Sequence, residues 1–219
     1  MKHWLILATL LTTWLTHAQA GDYSNVYFFG DSLSDSGTYA PLIGNSARFT
    51  NNPGTVWTDN LGARYGKPVS TAYAAWQTGG PETAGGFKPL RNGNNFAVGG
   101  ARVNAVPGLI GSFPGLRPYI PPVSTQISDF LARGPVDTKA LYAIMAGSND
   151  IITHVNLVMA NASTAEEAHA AVLKAAQDFV AQVERLQSAG VSKLMVIGIP
   201  DIGKTPFGSS LPASGSALL

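Results

Sequence analysis

A serine near the start of the sequence follows an apolar run and could act as a nucleophile. Residues 26–29 are β-branched or aromatic, which favours a buried strand, and Gly30 permits a sharp turn directly after them. Ser32 would then lie just past the carboxyl end of a strand, where open α/β sheets bind their ligands. A hydroxyl group there could attack an acyl carbonyl. The alternative is that the polar residues only form a turn or cap the next helix, a role open to Asp31, Ser34 and Asp35.

Two further polar turns follow apolar runs later in the sequence. Residues 95–98 predict a short strand that ends at Gly99 and Gly100, and paired glycines let a backbone N–H group approach a ligand closely, as an oxyanion site requires. An ordinary turn is the alternative for this pair. Residues 141–146 form a nearly continuous apolar run, typical of a parallel strand covered on both faces, and the polar residues 147–150 follow it. All three turns are therefore expected at strand ends.

Extended and helical segments alternate along the chain. Four strands are predicted, at residues 26–29, 95–98, 141–146 and 193–199. Three helices are predicted, over residues 55–65, over residues 123–133 and between Ser163 and Gly190. The last helix opens at two overlapping capping boxes, which pair Ser163 with Glu166 and Thr164 with Glu167. Such alternation implies a parallel sheet with right-handed crossovers.

The first 20 residues have the pattern of a secretory signal peptide. Lys2 precedes an apolar run over residues 4–15, and Ala18-Gln19-Ala20 predicts cleavage after Ala20. The apolar run is shorter than the roughly 20 residues that a membrane-spanning helix needs, which argues against an uncleaved anchor. We therefore expect an exported domain over residues 21–219, in the periplasm, at the cell surface or outside the cell.

The composition limits the classes of function. Of the 219 residues, 45% are hydrophobic and 12% are charged, and the formal net charge is +1. Lysine and arginine are scattered without a basic patch, which argues against a nucleic-acid partner or an anionic membrane surface. The sequence has no cysteine, which excludes a disulfide framework and a thiolate metal site. A chain of this length supports one domain that is stabilised by packing.

The three polar turns and their order resemble the GDSL, or SGNH, family of esterases and lipases. The likeness extends from about Tyr27 to Pro206 and rests on the conjunction of the turns. It implies a three-layer α/β/α, flavodoxin-like fold and hydrolysis of carboxylic esters of small molecules or lipids, with no metal or organic cofactor. In the family's pattern Ser32 is the nucleophile. The oxyanion donors are the backbone N–H groups of Ser32 and Gly100 and the side-chain amide of Asn149.

One part of the family's pattern has no counterpart in this sequence. The general base is a histidine in an Asp-x-x-His motif near the end of the domain, and that motif occurs nowhere here. His154 has Ile151 three positions before it, and His169 lies in Glu166-x-x-His169, before the fourth predicted strand. We therefore expect a domain that is truncated at its C-terminus, with the catalytic histidine and its aspartate absent from the chain.

Two other classes of function remain open. Residues 198–205 match the phosphate-loop pattern G-x-x-x-x-G-K-[ST] after a predicted strand, which raises nucleotide binding. Pro200 removes a backbone donor from this loop, and Pro206 and Pro212 disfavour the long helix that should follow it. The other class is an exported module that binds an ester or a glycan without hydrolysing it, and the absent histidine motif keeps this class open.

Overall fold

The computed structural model of the protein describes residues 22–44, 48–50, 54–75, 86–109 and 119–219. The predicted signal peptide lies outside these residues. The described part of the chain has the strands β1 (Val26–Gly30), β2 (Tyr73–Ala75), β3 (Phe87–Pro89), β4 (Leu141–Met145) and β5 (Leu194–Val196). Its helices are α1 (Ala40–Ile43), α2 (Trp57–Arg64), α3 (Val123–Leu131), α4 (Ser148–Met159), α5 (Ala165–Ser188), α6 (Pro206–Ser210) and α7 (Ala213–Ser216), with a 3₁₀ turn at Ile202–Lys204. None of the described helices is both long and apolar enough to cross a membrane.

A parallel sheet forms the centre of the fold, with its strands in the order β1, β4, β5. β1 and β4 pair in register from Val26 with Leu141 to Gly30 with Met145. The apolar run of β4 is buried along its whole length, as a strand covered on both faces should be. β5 pairs only with β4 among the described strands, and β2 and β3 form a separate antiparallel pair. The predicted parallel sheet is confirmed, although its last strand is shorter than predicted.

Residues 95–98 run beside β1 without forming a regular strand, so the prediction of a strand there is wrong. The backbone hydrogen bonds to β1 are Phe28 N to Asn94 O, Phe96 N to Phe28 O and Val98 N to Gly30 O, at 3.0, 2.7 and 3.1 Å. The next bond of a regular ladder, from Gly30 N to this segment, is missing, because Gly30 N donates to Gln126 Oε1 at 2.9 Å instead. Only an isolated bridge to β1 remains at Asn95, and the segment nevertheless stays parallel to the strand.

Side chains of β1 alternate between two apolar layers. Val26 and Phe28 face α2, where the rings of Phe28 and Trp57 meet edge to face at 5.3 Å. The opposite face packs against α3 and α5 through a larger cluster, which includes Phe29, Ile127, Phe130, Tyr142, Ile144 and Leu186. The sheet is therefore covered by helices on both faces, and the predicted three-layer α/β/α arrangement is confirmed.

The long helix before β5, α5, begins at one of the two predicted capping boxes. Thr164 Oγ1 accepts from Glu167 N at 3.1 Å, and the Glu167 carboxylate accepts from Thr164 N at 2.9 Å. The predicted box of Ser163 with Glu166 is wrong, because the Ser163 hydroxyl donates to the same Glu167 carboxylate, at 3.0 Å. Only the residue that occupies the N-cap position can complete the box.

A buried glutamine on α3 holds the end of β1. Gln126 Oε1 accepts from Gly30 N at 2.9 Å, and Gln126 Nε2 donates to Gly30 O at 2.9 Å and to Pro121 O at 3.1 Å. The side chain is fully buried, so its amide satisfies backbone groups that water cannot reach. Gln126 thus fixes the last peptide of β1 before the turn that contains Ser32.

We expect Gln126→Leu to lower the free energy of unfolding by about 2–4 kcal/mol, because each buried polar group that loses its partner costs about 1–3 kcal/mol. Urea unfolding followed by circular dichroism measures the change. The control is Gln187→Leu, at an exposed position of α5. Equal effects of the two substitutions would contradict the role assigned to Gln126.

Candidate active site

The ends of three extended segments meet at Gly30. This residue pairs with Met145 at the end of β4, and its carbonyl accepts from Val98 N at 3.1 Å. Gly30 has a φ of 152°, and a Cβ atom there would lie 2.2 Å from the Met145 carbonyl oxygen, so only glycine permits this approach. The three candidate turns leave the sheet at these ends and therefore lie at the same edge.

Ser32 lies in a tight turn directly after β1. Asp31 Oδ1 accepts from Leu33 N at 3.1 Å, and Asp31 O accepts from Ser34 N at 3.0 Å, so both bonds close the turn around Ser32. Ser32 is half-buried. Neither its hydroxyl nor its backbone N–H group donates a hydrogen bond to any residue that the structure describes. Both groups can therefore meet a ligand at this edge.

The polar residues of this turn do not cap the next helix, so the capping part of that alternative is wrong, although Asp31 and Asp35 do hold the turn. α1 begins only at Ala40, and the residue in its N-cap position is Tyr39. Asp35 instead accepts hydrogen bonds inside the loop, at Oδ1 from Gly37 N at 2.9 Å and from Thr38 N at 2.7 Å. The loop continues past all three candidate caps before the helix starts.

Asp35 also joins the first turn to the second. Its Oδ2 accepts from Gly99 N at 2.9 Å, although the two residues are 64 positions apart. The carboxyl group is fully buried. Burial raises the pKa of Asp35, and the N–H groups of Thr38, Gly37 and Gly99 act in the opposite direction. Sequence reasoning missed this role, because an aspartate in a turn gives no sign of a partner so distant in the chain.

Gly100 has an unpaired backbone donor. Its carbonyl accepts from Leu109 N at 2.8 Å, but its own N–H group donates to no described residue. The φ of Gly100 is 81°, and a Cβ atom there would lie 2.3 Å from the Leu109 carbonyl oxygen. The conformation that leaves this N–H group unpaired is therefore one that only glycine adopts without strain.

Asn149 lies in the first turn of α4, directly after β4. Its side chain is buried, and Nδ2 donates to Ala101 O at 2.8 Å. A primary amide has two N–H donors, so one bond orients the group and one donor is left. The N-terminus of α4 adds a favourable dipole for an anion at this place.

A buried ion pair lies beside these two donors. Asp150 Oδ1 accepts from Arg102 Nε at 3.0 Å, and Asp150 Oδ2 accepts from Val103 N at 3.0 Å. Asp150 is 1% exposed and Arg102 is 9% exposed. This pair could not be predicted from the sequence, because the two residues are 48 positions apart and only the fold brings them together.

Neither histidine of the described chain forms a hydrogen bond with Ser32. His154 Nε2 lies 3.0 Å from Arg102 Nη2. A guanidinium group only donates, so Nε2 is the acceptor and the neutral ring carries its proton on Nδ1. Burial, and after it the charge of Arg102, lowers the pKa of His154. His169 is exposed on α5.

The phosphate-loop pattern at residues 198–205 does not form a phosphate-binding loop in the structure. The 3₁₀ turn is followed by α6, which has only five residues and begins with Pro206. The Thr205 hydroxyl donates to Ile202 O at 2.7 Å and accepts from Gly208 N at 3.2 Å. Lys204 pairs with Asp201 at 3.2 Å. The expected absence of a long following helix is confirmed.

Among the described residues, no cluster of three His, Asp or Glu side chains could hold a metal ion.

A profile of the family described as GDSL-like Lipase/Acylhydrolase matches residues 26–217. The chain belongs to this GDSL family. The matched region contains the sheet, the helices on both its faces and the three turns, and the arrangement is that of the SGNH hydrolase fold. The resemblance inferred from the sequence is therefore confirmed at the level of the family.

Several curated proteins are similar to the GDSL chain. An uncharacterized protein in the trpE-trpG intergenic region of Pseudomonas putida is 32% identical over 95% of the chain and 34% of its own length. Esterase EstA of Pseudomonas aeruginosa is 31% identical over 68% of the chain and 26% of its own length. A GDSL esterase/lipase of Arabidopsis thaliana is 28% identical over 79% of the chain and 49% of its own length. The GDSL chain thus spans half or less of the length of these relatives.

Asp31 is the one carboxylate of the site that lacks a full set of partners. Its Oδ2 is buried and has no hydrogen-bond partner among the described residues. Burial raises the pKa of Asp31 to about 7, the Leu33 N–H group opposes this change, and the charge of Asp150 adds to it. The folded protein therefore holds this proton more tightly than the unfolded chain, in which the pKa is near 3.8.

The raised pKa of Asp31 predicts a loss of stability as the pH rises. The Asp31 carboxyl group contributes to the free energy of unfolding in full below about pH 4. This contribution is lost as the pH rises through about 7, because the folded state binds more protons than the unfolded chain over that interval. We expect the free energy of unfolding of the unaltered protein, relative to Asp31→Asn, to fall by at most about 4 kcal/mol between these limits. Urea unfolding at a series of pH values measures this difference, with the exposed Asp22→Asn as control. A difference that is constant with pH would contradict it.

Proposed function

We propose that this chain supplies the nucleophile and the oxyanion donors of a serine esterase that hydrolyses carboxylic esters of small molecules or lipids. One observation carries the proposal: at one edge of the sheet, a serine hydroxyl and a glycine N–H group have no partner among the described residues, and an asparagine amide uses one of its two donors. The residues are Ser32, Gly100 and Asn149. Two relatives are named as an esterase and as a GDSL esterase/lipase, which supports the same reaction class.

The reaction proceeds through an acyl-enzyme. The Ser32 hydroxyl attacks the ester carbonyl, its proton passes to a general base, and the carbonyl oxygen becomes an anion. The N–H groups of Ser32 and Gly100 and the Asn149 amide donate to that anion, and each such donor is worth about 3 kcal/mol of barrier in comparable sites. The alcohol leaves, and water then hydrolyses the acyl-serine by the same route.

We assign the general base to a histidine outside these 219 residues. The Asp-x-x-His motif is absent from the sequence. His154 uses its Nε2 lone pair for Arg102, and His169 lies exposed on α5. Without a base Ser32 remains a neutral hydroxyl, which is a weak nucleophile near neutral pH. The 219-residue chain alone is therefore expected to turn over esters very slowly.

The proposal includes export of the protein. The pattern of residues 1–20 supports a cleavable signal peptide, with a mature domain that begins at Gly21. Its destination would be the periplasm, the cell surface or the medium. N-terminal sequencing of the protein recovered from a host with a general secretion pathway tests this part, and an intact Met1 terminus on exported protein would refute it.

The second candidate is a module that binds esters without hydrolysing them. The absence of the Asp-x-x-His motif favours this candidate. The two candidates differ in one respect: a binding module has no use for the Ser32 hydroxyl as a nucleophile. A base added from solution should therefore reveal which of the two is correct.

We expect imidazole to support hydrolysis of p-nitrophenyl butyrate by the 219-residue chain, since a general base contributes about a hundredfold or more to such reactions. Ser32→Ala should lose more than about nine-tenths of this rate, because the remaining groups only bind the ester and its oxyanion. The control is Ser34→Ala, since the Ser34 hydroxyl in the same turn has no hydrogen-bond partner among the described residues. Initial rates, corrected for imidazole alone, measure the effect.

Three results are informative in this assay. A rate that depends on Ser32 and not on Ser34 supports the esterase. A rate that survives Ser32→Ala refutes Ser32 as the nucleophile. Saturable binding of a non-hydrolysable ester analogue without any Ser32-dependent rate would favour the binding module instead.

A further inference from the structure

We infer that Asp150 is a positioning residue, which fixes the separation between the Gly100 N–H group and the Asn149 amide through the backbone of residues 101–103. This inference rests on the proposed function, because it concerns the two donors that would stabilise the oxyanion. Asp150 itself touches neither the substrate nor the reacting atoms.

The contacts of Asp150 join two segments that are far apart in the sequence. Its two carboxylate oxygens accept from Arg102 Nε and Val103 N, each at 3.0 Å. The preceding residue, Asn149, donates to Ala101 O at 2.8 Å. Residues 101–103 are thus bonded to Asn149 and Asp150. The proposed donor Gly100 directly precedes the first of these segments, and the proposed donor Asn149 belongs to the second.

The other side of the first segment is held by α3. Val123 N donates to Arg102 O at 3.0 Å, and Ser124 N donates to Val103 O at 3.1 Å. The backbone of residues 102–103 therefore lies between the start of α3 and the start of α4. A change in the length of the bonds to Asp150 would move Gly100, which is two residues away, relative to Asn149.

A carboxylate is the group that this place requires. It accepts two N–H donors at once, whereas an asparagine has one acceptor oxygen and would turn its own N–H₂ group toward Arg102 or Val103. The Arg102 guanidinium would also lose its buried counter-charge, which is strongly unfavourable. The segment must then shift to find new partners.

The shift should appear in kcat rather than in KM. Donors that act on the oxyanion act mainly in the transition state, and a misplacement of about 1 Å can cost about a hundredfold in rate. We expect Asp150→Asn to lower kcat per folded molecule by about tenfold to a hundredfold and to change KM by less than about threefold.

The matched control is Asp59→Asn. Asp59, on α2, also pairs with an arginine Nε at 3.0 Å, that of Arg48, but this pair is partly exposed. Rates are measured with p-nitrophenyl butyrate and imidazole and are corrected for the folded fraction from thermal unfolding. Asp59→Asn should leave kcat unchanged.

A double-mutant cycle shows whether Asp150 acts through Asn149. In the Asn149→Ala background, Asp150→Asn should lower kcat by a smaller factor than in the native background, because the donor that it positions has been removed. Equal factors in the two backgrounds would overturn the inference. A lower melting temperature with unchanged kcat per folded molecule would also overturn it, since that result describes a structural role alone.

If Asp150→Asn does not fold, Arg102→Lys takes its place, because lysine keeps the counter-charge and loses the fixed Nε contact. That variant should lower kcat severalfold at constant KM, and an unchanged kcat overturns the inference. If the unaltered protein shows no Ser32-dependent rate, the proposed function and this inference fail together, whereas a normal rate that Asp150→Asn does not change refutes the inference alone.

Discussion

The close approach of β1 and β4 at Gly30 is the contact on which the site depends. The Gly30 carbonyl accepts from both Val98 N and Gln126 Nε2, its N–H group donates to Gln126, and the residue pairs with Met145. Any side chain at this position would collide with the Met145 carbonyl oxygen. All three turns leave the sheet within a few residues of this point, so their relative positions follow from the packing of this glycine against β4, residues 95–98 and Gln126.

Buried carboxylates determine which backbone donors remain unpaired. Asp31, Asp35 and Asp150 accept from the N–H groups of five loop residues, which are Leu33, Gly37, Thr38, Gly99 and Val103. The N–H groups of Ser32 and Gly100 lie between these occupied donors and have no partner among the described residues. The carboxylates thus hold the loops in place and leave two preorganised donors at the edge of the sheet. Preorganised donors cost no reorganisation when charge develops, which is the condition for effective oxyanion stabilisation.

Strands and helix caps that depend on local sequence pattern could be predicted from the sequence, whereas contacts between residues far apart in the chain could not. Apolar runs located β1, β4 and β5, and the Thr164 capping box located the start of α5, because burial and helix capping leave periodic or short-range signals. The three-residue strands β2 and β3 escaped notice, since so few residues carry no periodicity. Residues 95–98 have the pattern of a strand, but the distant Gln126 side chain takes the Gly30 N–H group that would extend their pairing with β1. The links of Asp35 to Gly99 and of Asp150 to Arg102 were beyond prediction because the partners are 64 and 48 positions apart.

Covalent labelling of the nucleophile distinguishes Ser32 from every other serine of the chain. The 219-residue chain would be treated with a fluorophosphonate in the presence of imidazole, digested and sequenced by tandem mass spectrometry. We expect one phosphonylated residue, Ser32, with no label on Ser34 in the same turn or on Ser36 and Ser148. Label on any of those serines in place of Ser32, or equal label before and after Ser32→Ala, would contradict it.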